Sequence, residues 1–187
     1  MLGFCTRIFR AVAARANVIK YKLLYRLYGR RVIWGDRVRI NGKFIVKGPG
    51  TVILGGGTYI NGSGHPVTPF THSRDAVIEI GGGSFVNGTR FGCAKRISIG
   101  KRCVLADARI MDTDFHAVDP DARLREEPGE VGTVEMGDNV WVCAGAFLLP
   151  NTTIGAGSVV GAAAVVKGAF PERSLIAGNP AKLVRRL

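Results

Sequence analysis

Residues 136–171 read MGDNVWVCAGAFLLPNTTIGAGSVVGAAAVVKGAFP. Within them Met136, Val142, Leu148, Ile154, Val160 and Val166 recur at every sixth position. Four places after each stand Val140, Ala146, Thr152, Ser158, Ala164 and Phe170, most of them small. Gly137, Gly155 and Gly161 directly follow three of the apolar residues. At about 100° per residue a step of six turns a helical side chain through roughly 240°, which scatters the row over three helix faces. In an extended chain six is even, so every member points the same way. Repeated glycine is costly inside a helix and suits turns that need φ > 0. The stretch therefore predicts short strands, sharp turns and an inner row of aliphatic side chains. That is an all-β solenoid whose coils bury their apolar faces on one another.

The same spacing extends upstream with slips. Trp34, Ile40 and Val46 are six apart, followed by Leu54 and Ile60, then Ile80, Val86 and Gly92, then Ile99, Leu105 and Met111. Two breaks interrupt it. Residues 62–76, with two prolines and two histidines, read as a loop thrown out at a turn; residues 113–134, rich in charge and proline, read as a second loop. Loops of this length inside a compact repeat tend to carry function. Ahead of the ladder, Ile8, Val12, Ala16, Ile19, Leu23 and Leu27 fall at three- and four-residue steps and predict a helix that Gly29 stops. The chain thus divides into a basic amphipathic N-terminal helix (1–31), a solenoid (32–171) and a short C-terminal tail (172–187).

With 187 residues this is one domain's worth of chain. Its formal net charge of +12 calls for an anionic partner. Arg7, Arg10, Arg15, Lys20, Lys22, Arg26, Arg30 and Arg31 all precede the first acid, Asp36. The helix has two readings: a cap over the open first coil, or a basic amphipathic helix on an anionic membrane surface. No aromatic interleaving or binding motif points to nucleic acid. Cys5, Cys93, Cys103 and Cys143 have neither metal-ligand nor redox spacing, which suggests a reduced, cytoplasmic setting, free or peripheral at the inner membrane face. Arg7, Arg10 and Arg15 interrupt any signal-peptide core, and no uncharged run is long enough to span a bilayer.

From Val140 to Leu187, and above all in Gly178-Asn179-Pro180-Ala181-Lys182, the sequence resembles the end of hexapeptide-repeat acyltransferases, particularly the sugar and polysaccharide O-acetyltransferases. The resemblance covers nearly everything after about Val32. It implies a left-handed parallel β-helix, a homotrimer, acetyl-CoA as co-substrate in a groove between subunits, no required metal, and a sugar or glycan acceptor. By the same resemblance His116, in Asp112-Thr113-Asp114-Phe115-His116, aligns with the family's catalytic histidine. A sugar hydroxyl is a poor nucleophile until a base takes its proton, and a neutral imidazole titrates in the right range. Asp114 would orient that imidazole; Asp112 and Asn87 would contact the acceptor. Trp141 would sit by the thioester arm, with Ala144 and Ala162 offering backbone groups and close approach to the pantetheine. Lys167, Lys182 and Arg185 would meet the CoA phosphates. The chain departs from the pattern at Cys143, where glycine is usual, and at Gly92-Cys93-Ala94-Lys95, where galactoside enzymes carry an acid. N-acetylation of an amino sugar and a non-catalytic β-helix are the alternatives. A trimeric zinc enzyme would need His65, His72 and His116 to converge.

Overall fold

A computed structural model describes the backbone of residues 2–187 and the side chains of residues 14–187. The chain is a parallel β-solenoid of about seven turns preceded by one helix, Leu2–Leu27. Strand registers define three columns. The first stacks Val32, Val52, Ile78, Ile97, Val134, Thr152 and Gly168. The second stacks Arg39, Tyr59, Phe85, Val104, Trp141, Val159 and Leu175. The third carries Thr68, Arg90, Arg109, Phe147 and Val165.

The core is the ladder read from the sequence. Met136, Val142, Leu148, Ile154, Val160 and Val166 are buried, as are Val140, Ala146, Thr152, Ser158 and Ala164 between them. Polar members are satisfied inside: Thr152 donates to the Leu149 and Val166 carbonyls, and the Ser158 hydroxyl accepts from Ser174 N–H. In two upstream coils the inward residue of the third column is one place earlier than six-residue counting gives. Phe91 and Ile110 are buried where Gly92 and Met111 were expected to point inward. The preceding corner is one residue shorter there: Leu105 leads to Ile110, whereas the aligned Val142 leads to Leu148.

The glycines that follow the apolar residues serve close stacking rather than positive φ. Gly35, Gly55, Gly81, Gly100, Gly137 and Gly155 line the corner between the first and second columns, and none has positive φ. A Cβ on Gly100 would come within 2.4 Å of the Gly137 backbone, and one on Gly55 within 2.4 Å of Gly82 N.

The first break is not a loop. A strand runs from Tyr59 to Thr71; Gly62 pairs Gly42 and Val67 pairs Phe44, so the surplus residues bulge at that corner without ending the strand. The second break is a loop after Met111, closed at its root by an antiparallel Thr113–Val131 bridge. It contains a short helix, Pro120–Leu124, whose first turn is capped by Asp119 accepting from Ala122 N–H. The tail turns back as a strand, Ala181–Arg186, antiparallel to Ser174–Gly178.

Residues 14–28 cap the first coil, and they do it with polar anchors. The Tyr25 hydroxyl donates to the Phe44 carbonyl and accepts from Val46 N–H; the Tyr21 hydroxyl donates to the Gly42 carbonyl and accepts from Phe44 N–H; Asn17 donates to the Ile40 carbonyl. These groups belong to the first coil's strand edge, which has no coil beneath it, so the helix supplies partners that a buried backbone otherwise lacks. Burial pushes the Tyr25 phenol up to about 12. The face that packs is Ala14, Val18, Tyr21, Leu24 and Tyr25. The expected stripe points outward instead: Ala16, Ile19, Leu23 and Leu27 are exposed, while Ile8 and Val12 lie outside the described side chains.

The corner glycines give a direct test. Gly100→Ala is expected to cost more than about 2 kcal/mol in chemical denaturation, because the added methyl meets backbone. Gly64→Ala, with open space around its Cα, is expected to stay within about 0.5 kcal/mol of the parent.

Candidate active site

The loop that bears His116 is built on Asp112. This residue ends the third column and is fully buried. Its carboxylate accepts from the N–H groups of Ala94, Lys95 and Arg96 at 2.6, 2.8 and 2.7 Å, and from the Cys93 thiol at 3.2 Å. Its carbonyl accepts from Gly132 N–H at the loop's far end. With both oxygens committed inside the corner, Asp112 is a structural clamp and does not reach an acceptor, contrary to expectation. Burial and the Asp112 charge push the Cys93 thiol up, so it stays a neutral donor.

Beyond the clamp the loop is tied to later coils. Asp114 N–H donates to the Glu130 carbonyl. The Glu130 carboxylate accepts from Asn151 at 2.7 Å and pairs with Lys167 at 2.9 Å. That pair holds Glu130 below the usual carboxylate range and raises Lys167. Lys167 therefore meets a carboxylate of its own chain, where a CoA phosphate was expected. His116 is exposed; its N–H donates to the Asp114 carbonyl, and its ring makes no hydrogen bond among the described residues. The Asp114 side chain is exposed and lies near enough to Lys167 to raise it.

Phe115 carries this loop back onto the stack. It adopts φ +63°, and its ring lies over Gly92, where a Cβ would come within 2.6 Å. The Phe115 ring meets His72 edge-on at 4.7 Å, and His72 meets Phe70 at 4.1 Å. The two coils between them bring His72 to the residue beside His116, although 44 positions separate the histidines in sequence. Desolvation between the rings keeps the His72 imidazole neutral to lower pH than usual. Phe115, Phe70, Phe91, Met111 and Ile45, with Lys47 and Arg90, line a hollow of about 440 Å³ on the third column. No carboxylate lines it. Sequence reading weighed His72 only as a would-be zinc ligand and missed both the hollow and the contact of His72 with this loop, because only coil stacking assembles them.

Two of the expected cofactor residues lie at the opposite edge of the same column. Ala144 and Ala162 are exposed at the corner that precedes it. Cys143 N–H and Gly145 N–H are taken by the Val160 and Asp107 carbonyls, and Ala163 N–H by the Ala144 carbonyl. The N–H groups of Ala144 and Ala162 have no acceptor among the described residues. Trp141 stands half-exposed on the second column between Val104 and Val159. Asn87 sits at this corner two coils earlier, at the end of a ladder in which Asn41 donates to Asn61 and Asn61 donates to Asn87. Partial burial raises the Cys143 thiol, which disfavours a thiolate nucleophile. Lys182 and Arg185 are exposed on the final strand, opposite Ala177 and Leu175.

Within one chain, then, His116 and the Ala144–Ala162 corner flank the third column from opposite sides. About five residues of extended chain separate the two corners, roughly 15 Å. His65 pairs with Asp107 at 3.4 Å and does not join the other two histidines. Among the described residues no three His, Cys, Asp or Glu side chains converge as a metal site requires.

Comparison with known proteins agrees with this architecture. Residues 133–168 match the bacterial transferase hexapeptide (six repeats) family. A Schizosaccharomyces pombe protein provisionally named an acetyltransferase is 39% identical over 92 residues, covering 49% of this chain and 44% of the relative. An Escherichia coli protein provisionally named a lipopolysaccharide biosynthesis O-acetyl transferase is 42% identical over 69 residues, covering 37% and 33%. The match thus spans less than half the length of these relatives. Among solved structures, a variant of AntD, an N-acyltransferase from Bacillus cereus in complex with dTDP-4-amino-4,6-dideoxyglucose and coenzyme A, superposes with a TM-score of 0.70 at 18% identity, covering 88% of both chains. The polysialic acid O-acetyltransferase OatWY superposes with a TM-score of 0.60 at 22% identity, covering 83% of this chain and 88% of that one. At these identities the superpositions establish the shared fold.

Two outcomes follow from the geometry. Asp112→Ala removes the acceptor of three part-buried N–H groups and of the buried Cys93 thiol, and is expected to lower stability by more than about 3 kcal/mol in urea unfolding. In an NMR titration His72 is expected to show a midpoint below 6.5, and Phe115→Ala, by admitting water to the ring, is expected to move it upward.

Proposed function

We propose that this chain is a CoA-dependent acyltransferase that moves an acyl group, acetyl in the simplest case, to a hydroxyl of a sugar or glycan, and that it works as a homotrimer. The observation that carries this reading is the placement of His116. It is an exposed imidazole on a loop clamped to the stack by Asp112 and Glu130, beside an aromatic- and cation-lined hollow, next to matched hexapeptide-repeat sequence.

In the proposed step His116 removes the acceptor proton as the oxygen attacks the thioester carbonyl. The tetrahedral intermediate collapses, the C–S bond breaks, and CoA leaves as a thiolate that the imidazolium protonates. The free N–H of Ala144 suits the developing oxyanion, and that of Ala162 suits the pantetheine arm. Trp141 flanks the arm; Lys182 and Arg185 supply cations for the phosphates. Asp114 is the nearest carboxylate in sequence to orient His116. Asn87, at the corner of the Ala144 column, contacts the acceptor or fixes the corner that does. An acceptor amine would use the same base, and an acceptor panel containing both amino and hydroxyl sugars decides between them.

The separation of His116 from the Ala144–Ala162 corner supports a site shared between neighbouring copies, with the base of one facing the thioester held by the next. Lys167 then contributes through the loop, by holding Glu130.

Acetyl transfer is read as thiol release from acetyl-CoA against the sugar panel. His116→Ala is expected to lower kcat by about 10²–10⁴-fold with the melting curve unchanged. Full activity in that variant would remove His116 from the mechanism. Mixing His116→Ala with the groove-filling Ala162→Trp before reassembly is expected to restore activity that neither variant has alone. A mixture as inactive as its parts, with mixed oligomers present, would place the whole site within one chain.

A further inference from the structure

We infer that the N-terminal helix is two-faced: its inner side closes the solenoid, and its outer side docks on an anionic lipid bilayer. The inner side is accounted for. Ala14, Asn17, Val18, Tyr21, Leu24 and Tyr25 pack on or bond to the first coil. On the opposite side Ile19, Leu23 and Leu27 are 63, 66 and 81% exposed, values that leave most of each side chain in solvent. They recur at every fourth position, so they form one stripe along the helix axis. Exposed Arg15, Lys22 and Arg26 run along one flank of that stripe and exposed Lys20 lies on the other.

Charge selects the occupant. No acidic residue precedes Asp36, so cations on this helix have no local counterpart. An apolar stripe bordered by cations matches the boundary between acyl chains and anionic headgroups, into which aliphatic side chains insert while lysine and arginine stems extend to the phosphates. A second copy using the same face would bring two unpaired cationic flanks together, which like-charge repulsion opposes. No described helix is long and apolar enough to cross a membrane, so the contact is one of lying on the surface. Docking of this kind needs neither CoA nor His116, and it stands or falls independently of acyl transfer.

The test is co-sedimentation of the full chain with vesicles of phosphatidylcholine alone and of phosphatidylcholine containing about one third phosphatidylglycerol. Binding to the anionic vesicles is expected to exceed binding to the neutral ones by at least about tenfold at low salt, and to fall steeply as salt rises. The triple change Ile19→Gln, Leu23→Gln, Leu27→Gln alters only exposed positions and is expected to abolish binding while leaving the melting curve and circular dichroism unchanged. Arg15→Gln with Lys22→Gln and Arg26→Gln is expected to weaken binding about tenfold or more. Equal binding to neutral and anionic vesicles, or an apolar triple variant that sediments like its parent, would overturn the proposal. So would a parent that does not sediment at all while the triple variant changes particle mass in light scattering, which would make the stripe a contact between copies.

Discussion

Everything in this molecule depends on how closely one coil lies on the next. Parallel ladders fix the spacing at about 4.8 Å, and at the corner between the first and second columns backbone meets backbone with no room for a side chain. The glycine column from Gly35 to Gly155 is the consequence. Once the coils are held at that spacing, every inward position sees the same neighbours above and below. A strict row of aliphatic side chains then fills the interior without further design. Extra chain is admitted only where it leaves the stack and returns without disturbing that spacing, as at the bulge after Gly62 and the loop after Met111.

The loop after Met111 shows how such an exit is stabilised. A carboxylate buried in the corner satisfies three N–H groups of the coil below, and a second carboxylate, Glu130, ties the loop to the two coils above. His116 projects from a segment held at both ends by backbone and charge. The neighbouring His72, Phe70 and Phe115 extend the surface along the column axis, so the third column offers a continuous aromatic edge beside the imidazole.

How much of this was legible in sequence differs by region. The row from Met136 to Val166 was plain because those coils are regular. The upstream register drifted because Leu105 to Ile110 spans a shorter corner than Val142 to Leu148, and residue counting does not see corner length. Pro66 and Pro69 looked like loop residues, yet they occupy a strand that continues past a bulge. The helix carried apolar residues on both sides; the more regular stripe drew attention, while tyrosine hydroxyls on the other side made the contact with the coil. Asp112 was legible as important, since it borders His116, but a buried clamp and a surface ligand look alike in a string of letters. His72 was invisible as a partner of that loop because only stacking brings it there.

In the proposed function, the edge of small residues with free N–H groups, the exposed Trp141 and the basic final strand form the channel for a CoA thioester, separate from the proposed base. The most direct test is calorimetric titration of acetyl-CoA into the parent, His116→Ala and Ala162→Trp. The account predicts saturable binding to the parent and to His116→Ala, displaced by CoA, and none to Ala162→Trp, whose indole fills the corner. Absence of binding to the parent at millimolar acetyl-CoA, or unchanged binding to Ala162→Trp, would contradict it.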